Sequence, residues 1–290
     1  SGLLTMEEVA EIGTTLLGYH PEVSRPDFQL DAEDEDIHSH LEKYLVSKIG
    51  DTGKKVHMAR SRNDQVMIAF QLFIKERLRQ IIDRVDSLFE SLLFQGERYR
   101  EHLIPGYTHT QVAMPSSVAV WLGAYAESLV SDLKIMKGVV EVLDQNALGT
   151  AAGYGTSFPI NRDLTTKLAG FGEMMVSAAS PQLTRGKLEA SVAFAMGSIA
   201  TTLTRLSADM IFYMSQEINL LTVPDVLTTG SSIMPHKKNP DVLELIRAHC
   251  NILIQVPVTL QGIVSNLVSG YHRDFQLIKE VLIPSFDRLD

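Results

Sequence analysis

The segment TTGSSIMPHKKNPDVLELIR, residues 228–247, combines two serines and two lysines with the start of a helical pattern. Asn239 is a favourable N-cap and Pro240 fits the first helical position, so the positive end of a helix dipole should face the loop. That dipole, together with Lys237 and Lys238, favours a nearby anion and can stabilise a serine alkoxide that acts as a base. Taken alone, however, the segment is more typical of an ordinary capped helix beside solvated lysines.

The loop YTHTQ places His109 between two threonine hydroxyls. A lone histidine is usually a hydrogen-bonded structural residue, whereas a carboxylate partner turns its imidazole into a proton carrier near neutral pH. Glu244 is the candidate partner, because it lies one turn into the helix that follows the 228–241 loop. The sequence alone does not show the contact, so the pairing of His109 with Glu244 is a hypothesis.

Three further segments supply groups that bind carboxylates. In RSRNDQ, residues 60–65, Arg60 and Arg62 offer bidentate N–H pairs and Asn63 offers an amide. Ser61 or Asn63 is equally suited to cap the helix that follows. The segments GYGTSFPINRD and YHRDFQLIK add hydroxyl, guanidinium and ammonium groups, with glycines in the first that permit close backbone approach. Each segment by itself is also compatible with an ordinary exposed surface.

The spacing of potential ligands disfavours metal and phosphate sites. The nine histidines are scattered and include no H-E-x-x-H pattern, and Cys250 is the only cysteine. The G-x-x-x-x-G-K-[ST] loop that cradles phosphates is absent. The residues themselves therefore give no reason to expect a metal site.

Composition limits the class of protein. The chain has 290 residues, of which 45% are hydrophobic, enough for a large core. Its 26 Lys and Arg against 35 Asp and Glu give a net charge of −9, which argues against a general binder of nucleic acid or of anionic membranes. No apolar run reaches the roughly 18 residues of a membrane span. The single cysteine fits a reducing compartment, so a cytoplasmic location is predicted.

Long helices must position these loops. From Asp64 to about Arg100 apolar residues recur every three or four positions, which predicts one helix roughly 55 Å long. Three more helices are predicted at residues 115–148, 186–219 and 240–269. Pro115 is expected to be the first helical residue of the second, and Pro257 is expected to kink the last.

The predicted fold is all-α, a bundle of long helices, because no sustained apolar–polar alternation indicates strands. Small and apolar residues cover wide helix faces, notably in SVAFAMGSIATTL, residues 191–203. Such faces favour packing on several sides, including against other subunits. The chain is divided into the end of an N-terminal helical domain, residues 1–63, and a central long-helix domain, residues 64–290.

The loop segments together resemble a known family. GSSIMPHKKNP resembles the signature of the fumarase/aspartase superfamily, whose members eliminate fumarate from succinyl-bearing substrates. DEDIH, RSRNDQV, PGYTHTQ, GTSFPINRD, KKNPDVLELIR and YHRDFQLIK together resemble the argininosuccinate lyase family. The similarity covers nearly the whole chain. Because members of that family are longer at both ends, the chain is expected to be a fragment that lacks both ends and the C-terminal domain.

The resemblance implies that argininosuccinate is cleaved to arginine and fumarate, the last step of arginine biosynthesis. The implied route is an anti β-elimination through an aci-carboxylate intermediate. Ser231 is implied as the base, and Lys237 and Asn239 as the groups that stabilise the reacting carboxylate. His109, paired with Glu244, is implied on the acid side. The remaining implied substrate-binding residues are Arg62, Asn63, Thr108, Tyr271, Gln276 and Lys279.

The resemblance also implies no cofactor and no metal. Members of the family are homotetramers in which long helices form a central bundle and three subunits contribute to each active site. We therefore expect a homotetramer that binds a small-molecule substrate and neither nucleic acid nor a membrane.

Several positions depart from the family pattern. Met58 and Ala59 stand where Thr or Ser followed by Gly is usual, Thr110 replaces Leu, and His236 replaces Gln. SPQLTRGKLE replaces an Asp-Arg-Asp segment. A modified argininosuccinate is therefore one alternative substrate, and a different succinyl substrate of the superfamily, such as adenylosuccinate, is a second. A noncatalytic homologue like the lens crystallins of this family is a third hypothesis.

Overall fold

The structure, a computed structural model, describes residues 2–230, 232–234 and 236–290. Its α-helices are α1 (Met6–Val23), α2 (Ile37–Ile49), α3 (Arg62–Arg98), α4 (Val118–Leu143), α5 (Arg162–Leu168), α6 (Ser180–Thr184), α7 (Lys187–Tyr213), α8 (Asp241–Val264) and α9 (Phe275–Leu289). Its strands are β1 (Leu103–Thr108), β2 (Gln111–Ser117), β3 (Gln145–Asn146) and β4 (Glu173–Met174), and 3₁₀ helices lie at Gly50–Lys55 and Asp225–Leu227. The long helices confirm the predicted all-α class, to which two short strand pairs are added.

The chain forms two compact units, each built from separate stretches of sequence. The first unit contains residues 1–71, 144–183 and 269–271, and the second contains residues 72–143, 184–268 and 272–290. The predicted domains, residues 1–63 and 64–290, stay a prediction, since a unit made of separate stretches does not define where a domain begins.

In the first unit, the buried Asp64 carboxylate joins the start of α3 to a glycine-rich turn. Its Oδ1 accepts a hydrogen bond from the Ser61 N–H at 2.9 Å, while the Ser61 hydroxyl accepts one from the Asn63 N–H at 3.3 Å. Ser61 thereby caps α3, one of the two caps expected. Asp64 Oδ2 accepts from the N–H groups of Gly149 and Ala151, both at 2.9 Å. Because Asp64 is fully buried, its loss would leave three N–H groups without an acceptor.

In the second unit, α7 packs along α8 through small residues. Ala200, Cys250 and Leu253 form a buried cluster, with Leu203, Ile254 and Leu289 packed against it. A methyl group added at Gly197 would lie 3.7 Å from Ile254 Cα, so the two helices approach closely there. The run of small residues at 191–203 therefore serves helix packing within this unit.

The largest correction to the predicted helices concerns Pro115. It is not the first residue of α4 but lies in β2 opposite Pro105, and α4 begins at Val118. Residues 111–117 pair with β1, and both strands are edge strands, where proline is tolerated. Local periodicity does not reveal such a pairing. The helices α4, α7 and α8 also end at residues 143, 213 and 264, before the predicted ends at 148, 219 and 269.

The long helices are continuous, even where they contain a residue that is unusual inside a helix. The helix α8 runs through the buried Pro257, and the predicted kink there stays a prediction. The helix α3 spans 37 residues, in agreement with the predicted long helix. No helix in the described part of the chain is both long and apolar enough to cross a membrane.

Candidate active site

His109 lies at the tip of a β-hairpin in the second unit. The strands β1 and β2 pair antiparallel, and the last pair, Thr108 with Gln111, leaves His109 and Thr110 as a two-residue turn. Both turn residues have positive φ, 53° for His109 and 61° for Thr110, as a type I′ turn requires. Asparagine and glycine usually occupy such turns, and a β-branched residue there is strained. Strain beside an exposed imidazole marks this tip as a candidate functional feature.

Aromatic side chains hold the part of this hairpin next to its tip. The Tyr107 ring of β1 lies with its centroid 5.0 Å from that of Phe212 and 6.3 Å from that of Tyr213, both on α7. Trp121 of α4 packs edge-on against Tyr213 at 5.0 Å. We call these four residues the aromatic cluster. Each edge-to-face contact contributes about 0.5–1.5 kcal/mol beyond the apolar area that it buries.

Asp209 of α7 ties α4 to the aromatic cluster. Its Oδ2 accepts hydrogen bonds from Trp121 Nε1 at 3.0 Å and from the Tyr125 hydroxyl at 2.6 Å. Burial, together with the hydrogen bond to Asp209, raises the pKa of the Tyr125 phenol well above its ordinary value. Tyr125 therefore remains a donor to Asp209 throughout the neutral pH range.

A short antiparallel bridge between Thr229 and Asn239 closes the base of the 228–241 loop. The Asn239 N–H donates to the Thr229 carbonyl at 2.9 Å, and the Thr229 N–H donates to the Asn239 carbonyl at 3.3 Å. The Thr229 N–H also donates to Asp241 Oδ2 at 3.0 Å, and the Thr229 hydroxyl donates to the same oxygen. We call Thr229, Asn239 and Asp241 the loop stem. It fixes the two ends of the loop to the first residue of α8.

Asn239 does not cap α8, contrary to expectation. The helix begins at Asp241, Pro240 occupies the cap position without a side-chain hydrogen bond, and the Asn239 amide donates to Thr229 Oγ1 at 3.4 Å. The physical reason is that the bridge to Thr229 holds Asn239 across the loop. Asp241 and Glu244 place two carboxylates in the first turn of α8. These charges favour the helix but reduce the positive potential that its end offers to an anion.

The two lysines of the loop differ in their surroundings. Lys238 pairs with Asp225, and this exposed ion pair contributes little to stability. Lys237 is exposed, and no ion pair links its ammonium group to another described residue. Its backbone N–H donates to the Met234 carbonyl at 3.0 Å. Ser231, the predicted base, lies outside the described residues. Lys237 is therefore the better placed of the two ammonium groups to meet an anionic ligand.

Thr108, His109 and Glu244 are all exposed in the second unit. Thr108 is the last residue of β1, and Glu244 lies one turn into α8, where its N–H donates to the Pro240 carbonyl at 3.1 Å. Within the described part of the chain, no hydrogen bond or ion pair joins His109 to Glu244. Their pairing stays a prediction.

Arg62 is already paired within the first unit. Its Nη1 donates to Asp36, and to Ser39 Oγ at 3.2 Å. Burial raises the pKa of the Asp36 carboxyl, but the hydrogen bonds from Arg62 and from the Ser39 N–H outweigh burial and hold that pKa below its usual value. Arg62 therefore fixes the DEDIH segment, and only its remaining N–H groups can bind a substrate carboxylate. Asn63 lies beside it in the first turn of α3.

The remaining predicted binding residues lie near the start of α9 in the sequence. Tyr271 is 37% exposed and belongs to the first unit, whereas Gln276 and Lys279 lie on α9 in the second. Gln276 and Lys279 are three residues apart and share one face of the helix. Phe275 and Ile278 are buried and anchor this end of α9 in the core.

The segment TRGKLE, a departure from the family pattern, anchors the start of α7. Gly186 has φ 82°, and a methyl group there would lie 2.2 Å from Val264 Cγ1, so only glycine fits. The buried Glu189 accepts a hydrogen bond from the Gly186 N–H at 2.6 Å. Burial raises the pKa of the Glu189 carboxyl, against the opposing effect of its hydrogen bonds and of Arg185. Arg185 in turn lies over the Phe275 ring at 4.7 Å, at the start of α9.

One group of described residues has the donor atoms of a metal site. Ligand atoms of Asp31, Asp34 and His40 lie within 4.8 Å of one another in the first unit. Lys43 Nζ, however, lies 2.6 Å from Asp34 Oδ1, and His40 Nδ1 lies 2.7 Å from Asp34 Oδ2. These two contacts, that of Lys43 more than that of His40, lower the pKa of the Asp34 carboxyl. Because an ammonium already compensates the central carboxylate, we assign no metal to this group.

Asp209, Trp121 and Asp241 are not among the residues predicted from the sequence. Asp241 carries a usable signal, since an acidic residue directly after Asn-Pro suits the first turn of a helix. Asp209 and Trp121 carry none, because their hydrogen bond joins positions 88 residues apart.

Comparisons with known proteins agree with this fold. A family model described as Lyase matches residues 1–254. Argininosuccinate lyase of Bacteroides fragilis is 48% identical over 288 residues, which cover 99% of this chain and 64% of that protein. Argininosuccinate lyase of Thermotoga neapolitana is 43% identical over 287 residues, which cover 99% of this chain and 72% of that protein.

Two solved structures share the fold. A crystal structure of EDDS lyase in complex with formate matches 99% of this chain and 57% of its own, with a TM-score of 0.87 and 25% identity. A class II fumarase from Schistosoma mansoni matches 99% of this chain and 69% of its own, with a TM-score of 0.81 and 19% identity. The chain spans about 64% of the length of its Bacteroides fragilis relative. The chain belongs to the lyase family that includes the argininosuccinate lyases.

Proposed function

We propose that the protein containing this chain cleaves argininosuccinate to arginine and fumarate. The observation that carries this proposal is the 48% identity, over 99% of the chain, to a relative named argininosuccinate lyase. The residues to which we assign proton transfer, Ser231 and His109, are present in the sequence.

The reaction begins at the carbon beside a substrate carboxylate. Ser231 removes a proton from this carbon, and the electron pair moves into the carboxylate to form an aci-carboxylate dianion. A serine hydroxyl is too weakly acidic to act as a base in water, so the loop must supply cations and exclude water. The exposed ammonium of Lys237 supports the cationic part of this requirement.

Stabilisation of the dianion falls to Lys237 and Asn239. The loop stem holds the Asn239 backbone close to that of Thr229, which restricts where this end of the loop can go. Charge-assisted hydrogen bonds to a developing anion are stronger than neutral ones and lower the barrier directly.

The C–N bond then breaks, fumarate forms, and the departing guanidinium nitrogen takes a proton. We assign this acid role to His109, oriented by Glu244 and acting directly or through a water molecule. The exposed position of His109 on a strained turn supports the assignment. Substrate binding is assigned to Arg62, Asn63, Thr108, Tyr271, Gln276 and Lys279, together with Asn239.

The direct test is steady-state kinetics of the full-length protein. Fumarate formation is followed by its absorbance with argininosuccinate, adenylosuccinate and EDDS as substrates. The proposal expects the highest kcat/KM with argininosuccinate. A higher kcat/KM on adenylosuccinate or EDDS, or no turnover of any of the three, contradicts it.

The EDDS lyase match favours a second candidate, a lyase acting on another succinyl-bearing substrate. That structure covers 99% of this chain at a TM-score of 0.87, but the sequence identity is only 25%. Identity to the argininosuccinate lyase of Bacteroides fragilis is nearly twice as high. Argininosuccinate therefore remains the preferred substrate, and the same assay separates the two.

We further propose a cytoplasmic homotetramer in which three subunits build each site. The second unit exposes large apolar side chains on long helices, for example Val120 (65%), Phe194 (58%) and Val258 (67%), which support burial against further copies of the chain. The lack of a bond between His109 and Glu244 within the described chain is compatible with a contact between subunits. Light scattering measures the mass in solution.

Mixing inactive variants tests whether sites are shared. If Ser231 and His109 of one site come from different subunits, co-assembled Ser231→Ala and His109→Asn chains regain activity. An equal mixture should contain about a quarter of sites with both native residues, because each comes independently from either chain. No regained activity in mixed tetramers contradicts shared sites.

A further inference from the structure

The hairpin that carries His109 needs support from outside its own strands. A two-stranded hairpin is at best marginally stable in water. Five of the seven residues of β2 are exposed, so the strands bury little of their own surface. The position of the tip must therefore depend on contacts between the hairpin and other elements.

Tyr107 makes those contacts. The pairing register shifts between Gly106 and Tyr107, an irregularity of the kind that re-aims a side chain. The Tyr107 ring meets the Phe212 ring at 5.0 Å and an interplanar angle of 88°. Only Thr108 separates Tyr107 from His109, so a displacement of this ring moves the imidazole with it.

Asp209 fixes the aromatic rings against which Tyr107 packs. It lies three residues before Phe212 on α7, and its carboxylate accepts hydrogen bonds from Trp121 and Tyr125, both on α4. Trp121 then packs at 88° against Tyr213. Hydrogen bonds to an ionised acceptor are stronger than neutral ones, and removal of the carboxylate would leave two partly buried donors unpaired.

We propose that Asp209 is a positioning residue for the reaction. It acts through Trp121, Tyr213 and Tyr107 to hold the hairpin tip that presents Thr108 and His109 to the substrate. The part that concerns His109 rests on the proposed function. The part that concerns the position of the hairpin rests on the contacts alone.

The test compares Asp209→Ala with Asp209→Asn in the full-length protein. Hydrogen–deuterium exchange of the peptide covering residues 103–117 measures how firmly the hairpin is held, and kinetics measure turnover. Asp209→Ala should exchange faster in this peptide and lower kcat about 10-fold with KM changed less than about 3-fold, because misplacement of a reacting group acts mainly on kcat. Asp209→Asn keeps an acceptor oxygen and should restore both values toward those of the unsubstituted protein.

Leu129→Ala is the matched control, since Leu129 is fully buried on α4 but is not part of the aromatic cluster. It should lower thermal stability without faster exchange at residues 103–117. Unchanged hairpin exchange in Asp209→Ala overturns the inference, as does the same exchange increase in Leu129→Ala. Faster exchange with unchanged kcat also overturns it. If the unsubstituted protein turns over none of the succinyl substrates, the proposed function fails and the exchange result alone decides whether Asp209 holds the hairpin.

Discussion

The hairpin tip and the 228–241 loop present the two proposed proton-transfer groups, and they are held by different interactions. The hairpin rests on ring packing and on the partly buried carboxylate of Asp209. The loop stem consists of hydrogen bonds between Thr229, Asn239 and Asp241, most of them exposed. Water competes with exposed hydrogen bonds, each worth about 0.5–1.5 kcal/mol net, but does not replace ring packing.

This difference matches two requirements of an elimination. The acid must stay in place while the leaving nitrogen departs, and ring packing holds the hairpin tip in a fixed position. A loop that carries a base must open to admit substrate and close to exclude water, and contacts that water can replace permit that movement. We therefore expect changes in the hairpin to act on kcat and changes in the loop stem to act first on KM.

The largest expected effect comes from substitution of Ser231 in the 228–241 loop. Ser231→Ala removes the proposed base and should lower kcat by about 10³-fold, within the range of a general acid–base contribution. The dissociation constant of substrate, measured by equilibrium binding, should change little. Near-normal turnover would remove Ser231 from the role of base and leave the loop with a binding role only.

His109→Asn tests the hairpin side of the comparison. The asparagine tolerates the positive φ of the turn but transfers no proton, so kcat should fall about 10²-fold with an altered pH dependence. The pH profile of kcat/KM measures this change. His236→Gln, which restores the residue usual in the family, is the control and should leave the profile in place. An unchanged profile in His109→Asn would argue for a purely structural histidine.

Asp241→Ala should show whether the loop stem acts on binding. The substitution removes the acceptor of the Thr229 N–H and hydroxyl, so the closed loop becomes less favourable and KM should rise about 5-fold, as expected for loss of about 1 kcal/mol. Asp225→Ala is the control, because it breaks only the ion pair to Lys238. Equal KM values for the two variants would mean that the stem does not control the loop.

Thr110→Gly should give the smallest effect and tests the strain at the hairpin tip. Glycine removes a cost of about 1–3 kcal/mol for a strained residue at positive φ but adds flexibility. Thermal stability should rise, while kcat should fall about 2- to 3-fold as the imidazole loses its fixed position. Thr110→Asn, which tolerates the turn geometry with less flexibility, should gain stability with a smaller loss of kcat. A lower melting temperature in both variants would contradict strain at this turn.

Much of the fold is predictable because the helices are long and periodic. The stripe from Asp64 to Arg100 corresponds to α3, which runs from Arg62 to Arg98. Helix ends are less predictable, since a helix stops where tertiary contacts cease to support it. The identities of the chemistry-bearing loops also follow from the sequence, because their residue types and order are characteristic.

The sequence by itself determines which groups are available: the loop residues, the long apolar helix faces, and membership of the lyase family whose model matches residues 1–254. Only the tertiary structure decides what holds them. The pairing of β1 with β2, the bridge that diverts Asn239 from capping α8, and the bond of Asp209 to Trp121 all join residues whose partners no local pattern specifies. The physical reason is that periodicity reports burial along one element, whereas these contacts depend on how separate elements meet.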